Sequence, residues 1–248
     1  MVDLQALAPL RSIIRGRRPL TVLSGAGMSA ESGVPTFRDE GGLWRERDPM
    51  ELATPEAFIR DPKLFWEFYQ ERRRNLDGVQ PNPGHRALAA FEQVRGDTWT
   101  ITQNVDALHR VAGTSNLIEM HGCLWELRCS VCRYREEDRD LDFDEPPHCP
   151  DCGGMLRPNV VLFGETYPPR MLTEIDELLH RGGVLLVIGT SGQVAPAAFF
   201  AGMARSAGAY CVEINPSGTL IESDMNDLVR APSGEVLPYL LGLEGLHS

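Results

Sequence analysis

Four cysteines stand as two close pairs, Cys129-x2-Cys132 and Cys149-x2-Cys152, with sixteen residues between the pairs. Two thiolates in a tight knuckle reach one ion, and two facing knuckles complete a tetrahedral four-sulfur shell for zinc. Four protein ligands leave no open position for water or substrate, so such a zinc is structural, one ion per chain. Two disulfides or free thiols are the alternative. His148, next to Cys149, is a further potential ligand that a full set of thiolates makes unnecessary.

A second set of residues suits proton transfer and ligand binding. TQNVDALH places Gln103, Asn104, Asp106 and His109 at or just beyond the end of an apolar strand. Carboxamides and a carboxylate there suit a ligand with its own amide and hydroxyls. A helix N-cap with exposed polar neighbours explains Asp106 or Asn104, but not the whole cluster. His121-Gly122 ends another strand and is a candidate general base, although a solitary strand-end histidine also serves as a structural group. In GAGMSAESGVPTFRDEGG, Gly25 and Gly27 follow a strand directly, as a phosphate-cradling turn needs. The spacing is G-x-G-x5-G rather than the dinucleotide pattern G-x-G-x-x-G, and Pro35 forbids a long helix. A plain strand-to-loop turn stays open beside the phosphate reading.

The elements that position these groups can be followed along the chain. Residues 4–16 predict a short amphipathic helix ending at Gly16, and 19–25 a strand. Residues 54–94 read as mainly helical, with a PNPG break. Strands are expected at 98–104, 116–122 and 158–165, a short helix closed by Gly113 after the first of these, and a helix at 170–181. VLLVIGT (184–190), a helix at 195–208 and AYCVEIN (209–215) form a β-α-β unit, which implies parallel pairing with a right-handed crossover. Apolar strands stop at Ser24-Gly25, Gln103-Asn104, Gly164-Glu165, Gly189-Thr190-Ser191 and Asn215. In an open parallel sheet these carboxyl ends share one edge, where ligands bind. Their convergence predicts a cleft.

At 248 residues the chain fits one large domain plus a small insert. Lys and Arg total 24 against 35 Asp and Glu, a net charge of −11 without the basic footprint of a nucleic-acid binder, so no specific nucleic-acid partner is expected. No apolar run approaches the roughly 18–20 residues of a membrane span, and the first twenty residues lack a signal-peptide pattern. Four of six cysteines at metal spacing favour reduced thiolates. The reading is cytoplasmic, with no membrane partner.

GAGMSAESGVPTFR, TQNVDALH, His121-Gly122, the four cysteines, PNVVLFGE and GTS, in this order over residues 20 to 216, together resemble the sirtuins, NAD-dependent protein lysine deacylases of bacterial type. The resemblance implies an α/β fold: a Rossmann-like parallel-sheet domain (1–40, 84–122 and 158–248) and a smaller domain formed by a helical insert (41–83) and a zinc-binding insert (123–157). NAD and an acyl-lysine protein or peptide would enter the cleft between them from opposite sides. By position, the resemblance puts Gly25, Ala26 and Gly27 at the NAD phosphates, with Ala30, Phe37 and Arg38 over the nicotinamide ribose. Gln103 and Asn104 would contact the riboses, and Asp106 the nicotinamide carboxamide. Gly189, Thr190 and Ser191 would meet the phosphate and adenosine end, Asn215 the adenine ribose, and Ala231 the C-terminal side of NAD. His121 becomes the general base that activates a ribose hydroxyl after nicotinamide has left, so that the acyl group departs on ADP-ribose. Phe163, Gly164 and Glu165 would form one edge, and Val194 the other, of a clamp that holds the peptide as a strand.

FWEFYQERRR carries Tyr69-x-x-Arg72, which share a face at helical spacing. A tyrosine packing on the core and an arginine in solvent is the bland account. The pair also matches the Tyr-x-x-Arg of the class III sirtuins, which implies a pocket for succinyl, malonyl or glutaryl lysine. A guanidinium binds a carboxylate through two parallel bonds and a phenol adds a donor. Ala53 matches the small residue that makes room for the longer acyl chain, and deacetylation persists beside it. A zinc-stapled NAD or ADP-ribose-binding module without turnover, and an ADP-ribosyltransferase, are the competing readings.

Overall fold

A computed structural model of the chain describes residues 2–36 and 49–244. A 3-10 turn (Leu4–Leu7), capped by Asp3, leads into α1 (Ala8–Ile14), so the expected first helix is split where Pro9 enters. Then come β1 (Leu20–Ser24), α2 (Gly27–Ala30), α3 (Pro49–Leu52), α4 (Pro55–Arg60) and α5 (Pro62–Leu76). Thr54 and Asp61 accept from the N–H groups of Ala57 and Leu64, which fixes where α4 and α5 begin. After α6 (Pro83–Arg95) the chain forms β2 (Thr98–Thr102), α7 (Leu108–Val111), β3 (Leu117–Glu119), β4 (Gly122–Cys129), β5 (Arg135–Glu137) and β6 (Leu156–Val160). It ends with α8 (Pro169–His180), β7 (Val184–Ile188), α9 (Phe200–Ser206), β8 (Tyr210–Ile214), β9 (Asp227–Val229) and α10 (Ser233–Leu241).

Six strands pair in parallel in the order β3-β2-β1-β7-β8-β9. This is the doubly wound order, with its switch point between β1 and β7. VLLVI of β7 is buried at every position, as a parallel strand covered on both faces must be. Its side chains alternate between two cores. Val184, Leu186 and Ile188 join Leu10, Leu88 and Leu237 on the side of α1, α6 and α10; Leu185 and Val187 join Leu178, Phe200 and Ala204 under α8 and α9.

The small domain has a core of its own, where Phe58, Phe65, Trp66 and Tyr69 meet Leu124, Leu127, Leu156 and Leu162. Here the structure corrects one expectation. The segment 158–165 does not return to the parallel sheet: its strand is β6, antiparallel to β4 in a three-stranded sheet of order β5-β4-β6. β4 follows His121 without a break and offers its edge to the chain returning from the cysteine knuckles, so β6 pairs there. The boundary expected at residue 158 falls inside β6. Of the five strand ends expected to converge, those of β1, β2, β7 and β8 share the common edge and that of Gly164-Glu165 does not. The helix expected at 195–208 begins as a 3-10 turn (Ala197–Phe199) and becomes α9 at Phe200.

At the switch point two turns touch. A β-carbon on Gly27 would stand 2.7 Å from Gly189 Cα, and one on Gly189, whose φ is +60°, would stand 2.4 Å from Met28 N. Replacing Gly27 by Ala forces two backbone segments apart. The expected cost is about 1–3 kcal/mol, the usual range for overpacking, read as a lower midpoint of urea unfolding. A midpoint equal to that of the wild type would mean that the contact relaxes freely.

Candidate active site

Four loops at the carboxyl edge are laced together by hydrogen bonds. Gly25 N–H donates to Ile188 O (2.9 Å) and Gly27 N–H to Gly189 O (2.8 Å). Of the three N–H groups in the glycine turn, two thus serve the contact with β7; among the described residues Ala26 N–H is the one left for a ligand. Gln103 Nε2 donates to Thr190 Oγ1 (3.0 Å), Asn104 Nδ2 to Gly25 O (3.1 Å) and Asn215 Nδ2 to Thr190 O (3.0 Å). The structure therefore brings Gly25, Ala26, Gly27, Gln103, Asn104, Asp106, Gly189, Thr190, Ser191 and Asn215 to one edge. Ala30 ends α2 and is exposed. Ala231 follows β9 with its methyl sealed in the core, so it offers no side chain to the cleft. Phe37 and Arg38 lie outside the described residues.

Asp106 is held on both oxygens. Leu108 N–H donates to Oδ1 (2.8 Å), although the N-cap position of α7 is Ala107 rather than Asp106, and Ser29 Oγ donates to Oδ2 (2.7 Å). Burial raises its carboxyl above the ordinary value, and those two hydrogen bonds oppose the rise. Ser29 also accepts from Asn104 Nδ2 (3.0 Å). Sequence reasoning passed over Ser29; its one signal was a hydroxyl just after the glycine turn.

His121 sits between β3 and β4. Gly122, at φ +81°, is required there because a β-carbon would come within 1.9 Å of Asn159 O. His121 Nδ1 is 2.8 Å from Gln103 O. A carbonyl only accepts, so Nδ1 carries the proton and Nε2 presents a lone pair. Burial holds the imidazole below its ordinary pKa, partly offset by the Gln103 bond, so it is neutral and basic near neutral pH. The Tyr167 ring lies 6.0 Å away.

Beyond His121 is the other rim. Phe163 N–H donates to Ala53 O (2.9 Å), which joins the two segments expected to touch substrate. Phe163 and Val194 expose 40% and 45% of their surface, enough for a partner strand to cover. Gly164 is exposed at φ +86°. Glu165, in contrast, turns inward: its carboxylate pairs with Arg128 (2.8 Å) and Arg157 and accepts Leu162 N–H (2.9 Å). Tyr69 is buried against Phe65 (4.6 Å between rings), and burial pushes its phenol up to about 12. The Arg72 guanidinium lies 5.6 Å from the Tyr69 ring, so the pair does share a face of α5. Arg72 lines a cavity of about 50 Å³ with Ala26, Ser29, Asn104 and Asp106. That places it on the cleft side of α5 rather than in open solvent.

The cysteines meet as expected. Their four sulfurs lie within 4.8 Å of one another, with Cys129–Cys152 at 3.5 Å and Cys132–Cys149 at 3.6 Å. Tetrahedral zinc with bonds of about 2.3 Å sets sulfurs about 3.8 Å apart. Backbone N–H groups of Val131, Cys132, Tyr134 and Gly154 point at the sulfurs (3.3–3.5 Å), as negatively charged thiolates require. His148 bonds to Gly153 O instead and is outside the cluster. The donor set fits one structural zinc ion.

A family model described as the Sir2 family matches residues 25–196. An NAD-dependent protein deacylase of Pyrococcus furiosus is 47% identical over 224 residues, 88% of this chain and 90% of that protein. NAD-dependent protein deacylase 1 of Pseudomonas aeruginosa is 46% identical over 92% of this chain and 95% of its own length. Among solved structures, a Sir2 homologue in complex with NAD aligns at a TM-score of 0.88 and 39% identity, covering 94% of this chain and 92% of the other. A Sir2 complex with a p53 peptide and NAD+ aligns at 0.86 and 28% identity, covering 97% and 99%. Among the described residues no helix is long and apolar enough to cross a membrane.

Metal analysis should find one zinc per chain. Cys129→Ser or Cys152→Ser should lose it and unfold the segment between the knuckles, because metal-binding energy is folding energy in such modules. A stripped protein that stays folded and active would overturn the structural role.

Proposed function

Because the chain belongs to the Sir2 family, we propose that its crevice transfers acyl groups from protein lysine to the ADP-ribose part of NAD, accepting succinyl and malonyl as well as acetyl groups. The observation that carries the reading is the tautomer of His121. With Nδ1–H committed to Gln103 O, Nε2 is a neutral base at the junction of the dinucleotide edge and the substrate rim. NAD is consumed as a co-substrate, supplying the acceptor and nicotinamide as leaving group.

On this reading Gly25, Ala26, Gly27 and Gly189–Ser191 face the phosphates and adenosine, with Asn215 at the adenine ribose. Gln103 and Asn104 hold the riboses. Asp106 retains lone pairs for the nicotinamide carboxamide beyond those given to Ser29 and Leu108. His121 Nε2 takes the proton from a ribose hydroxyl, which then accepts the acyl group. The substrate backbone lies as a strand between Phe163–Gly164 and Val194, where main-chain bonding tolerates many sequences. Glu165 supports its edge through Arg128 and Arg157. The cytoplasm is the compartment this reading assigns, and the small domain is the staple beside the cleft.

The acyl preference rests on Tyr69 and Arg72. A cation lining a small, partly dry cavity favours an acyl chain that ends in a carboxylate, and Arg72 keeps its charge although burial lowers its pKa. A mass-spectrometric assay with NAD and matched acetyl-, malonyl- and succinyl-lysine peptides tests the whole reading. Nicotinamide release that depends on acylated peptide, with O-acyl-ADP-ribose as product, supports it. NAD binding without turnover, or ADP-ribose transferred to protein, would sink it.

His121→Ala should keep NAD binding and lose about 10²–10⁴-fold in turnover, the usual worth of a general base. The base must be neutral, and burial lowers its pKa. In the wild type the acid limb of kcat/KM should therefore bend below the ordinary imidazole value of about 6.5, with activity full above the bend and falling as pH drops through it. A bend above that value would assign the limb to another group.

Arg72→Met should cut kcat/KM for succinyl-lysine by more than tenfold, since a desolvated charge pair is worth about 2–5 kcal/mol, while acetyl-lysine changes little or improves. Tyr69→Phe should move in the same direction by about 0.5–1.5 kcal/mol, the share of a neutral donor. Equal losses on both peptides would instead make these residues supports of the helix and remove the acyl preference.

A further inference from the structure

Two buried imidazoles lie behind the glycine turn, and the proposed reaction makes no use of either. His85, on α6, is fully buried, and neither ring nitrogen has a hydrogen-bond partner among the described residues. His109, on α7, is 2% exposed, and its ring stands 4.8 Å from that of His85 at 66°, edge to face. A leucine or phenylalanine would fill this space without burying unsatisfied polar atoms. Packing alone does not account for the pair.

His109 reaches the site through one atom. Its Nε2 is 2.9 Å from Ser24 Oγ, and Ser24 Oγ donates to Thr102 Oγ1 at 2.9 Å. With the hydroxyl hydrogen spent on Thr102, Ser24 accepts, so His109 carries its proton on Nε2. Thr102 Oγ1 in turn accepts Asn104 N–H (3.1 Å). Ser24 and Thr102 are register partners and the last residues of β1 and β2. Their hydroxyl tie is thus the final side-chain crosslink before the two strands open into the glycine turn and the Gln103–Asp106 loop. Burial holds His109 down at about 4 and His85 well below its ordinary value, the one ring lowering the other further. Both are neutral in the working range, so His109 supplies one fixed N–H without a charge. The nearest link to a carboxylate runs through Asn104 and Ser29 to Asp106.

We propose that His109, braced by the His85 ring, is a positioning residue for the nicotinamide-ribose half of NAD: its Nε2–H fixes the Ser24 hydroxyl and, through Thr102, the backbone of Asn104. The two loops then keep their separation when the dinucleotide enters. The inference rests on the reading that NAD occupies this crevice with its nicotinamide ribose at Gln103–Asp106.

The test uses NAD and ADP as separate probes, because ADP lacks the nicotinamide ribose and reports only the adenosine and phosphate end, at Gly25–Gly27, Gly189–Ser191 and Asn215. His109→Phe keeps a ring and removes the donor. It should weaken NAD binding and raise KM for NAD at least about tenfold, leave ADP affinity within about twofold, and lower kcat at saturating NAD by less than KM rises. His109→Gln, whose amide nitrogen can stand where Nε2 stood, should restore most of the NAD affinity. NAD binding unchanged in His109→Phe, or NAD and ADP weakened equally, overturns the proposal and leaves the ring as a support of the fold. Should His109→Phe fail to fold, Ser24→Ala and Thr102→Val cut the same tie and should give the same NAD-selective loss; unchanged NAD binding in both overturns it as well. A wild-type protein that binds ADP but not NAD would overturn the reading of the crevice, and the inference with it.

Discussion

The contact between the Gly25–Gly27 turn and Gly189 sets the geometry of the whole carboxyl edge. Neither side has room for a β-carbon, so two backbones meet directly where β1 and β7 diverge. Every neighbouring loop takes its position from that contact. Thr190, next to Gly189, anchors Gln103 and Asn215, and the Gly25 carbonyl anchors Asn104. The loops contain little regular structure of their own; α2 is a single turn. Their rigidity comes from bonds between loops, each ending on a strand, which is how a site can be held to fractions of an ångström without long helices.

The parallel sheet was legible because its strands announce themselves. The runs LTVLS and VLLVI are largely apolar, lead into glycine, and alternate with helices of the right length. The misplacement of 158–165 has a physical source. A short apolar run states that it is buried, not which sheet buries it. Its partner, GCLWELRC, starts at Gly122, the last residue of the strand expected at 116–122, and finishes in a cysteine ligand, so no local break in the sequence marks it as a separate strand. Residues beyond Asn215 gave weaker signals still. β9 has three residues, and α10 contains Pro238, which reads as a breaker although the helix continues through it.

At the site, the residues with conspicuous chemistry could be named from sequence: cysteine pairs, strand-end carboxamides, a histidine before glycine. What orients them could not. Ser24, Ser29 and Thr102 are small hydroxyl residues in or beside strands, indistinguishable by type from many that only pack. Their importance lies in partners 75 to 85 positions away, from Asn104 to Ser29 and from His109 to Ser24, which no local pattern encodes. Glu165 shows the reverse. It looked like a surface contact in a substrate edge, and the structure gives its carboxylate to Arg128 and Arg157, where it braces the loop that carries Phe163.

The zinc-bearing insert influences the crevice mechanically. A zinc with four cysteine ligands has no position open for chemistry, but the segment it staples is bolted to α5, the helix of Tyr69 and Arg72. Trp66 Nε1 donates to Leu156 O (3.0 Å), Gln70 Nε2 to Phe143 O (3.1 Å), and the Arg73 guanidinium pairs with Asp138. Arg73 has no exposed side-chain surface and lies 5.3 Å from the Trp125 ring and 5.7 Å from Phe143. A cation placed so deeply is held by its partner and its rings together, and separating it from Asp138 would strand a charge. Along α5, then, Trp66, Gln70 and Arg73 face the stapled segment while Arg72 faces the cavity beside Asp106. The helix can hold Tyr69 and Arg72 still because residues a few positions away are fixed to the segment that the metal staples.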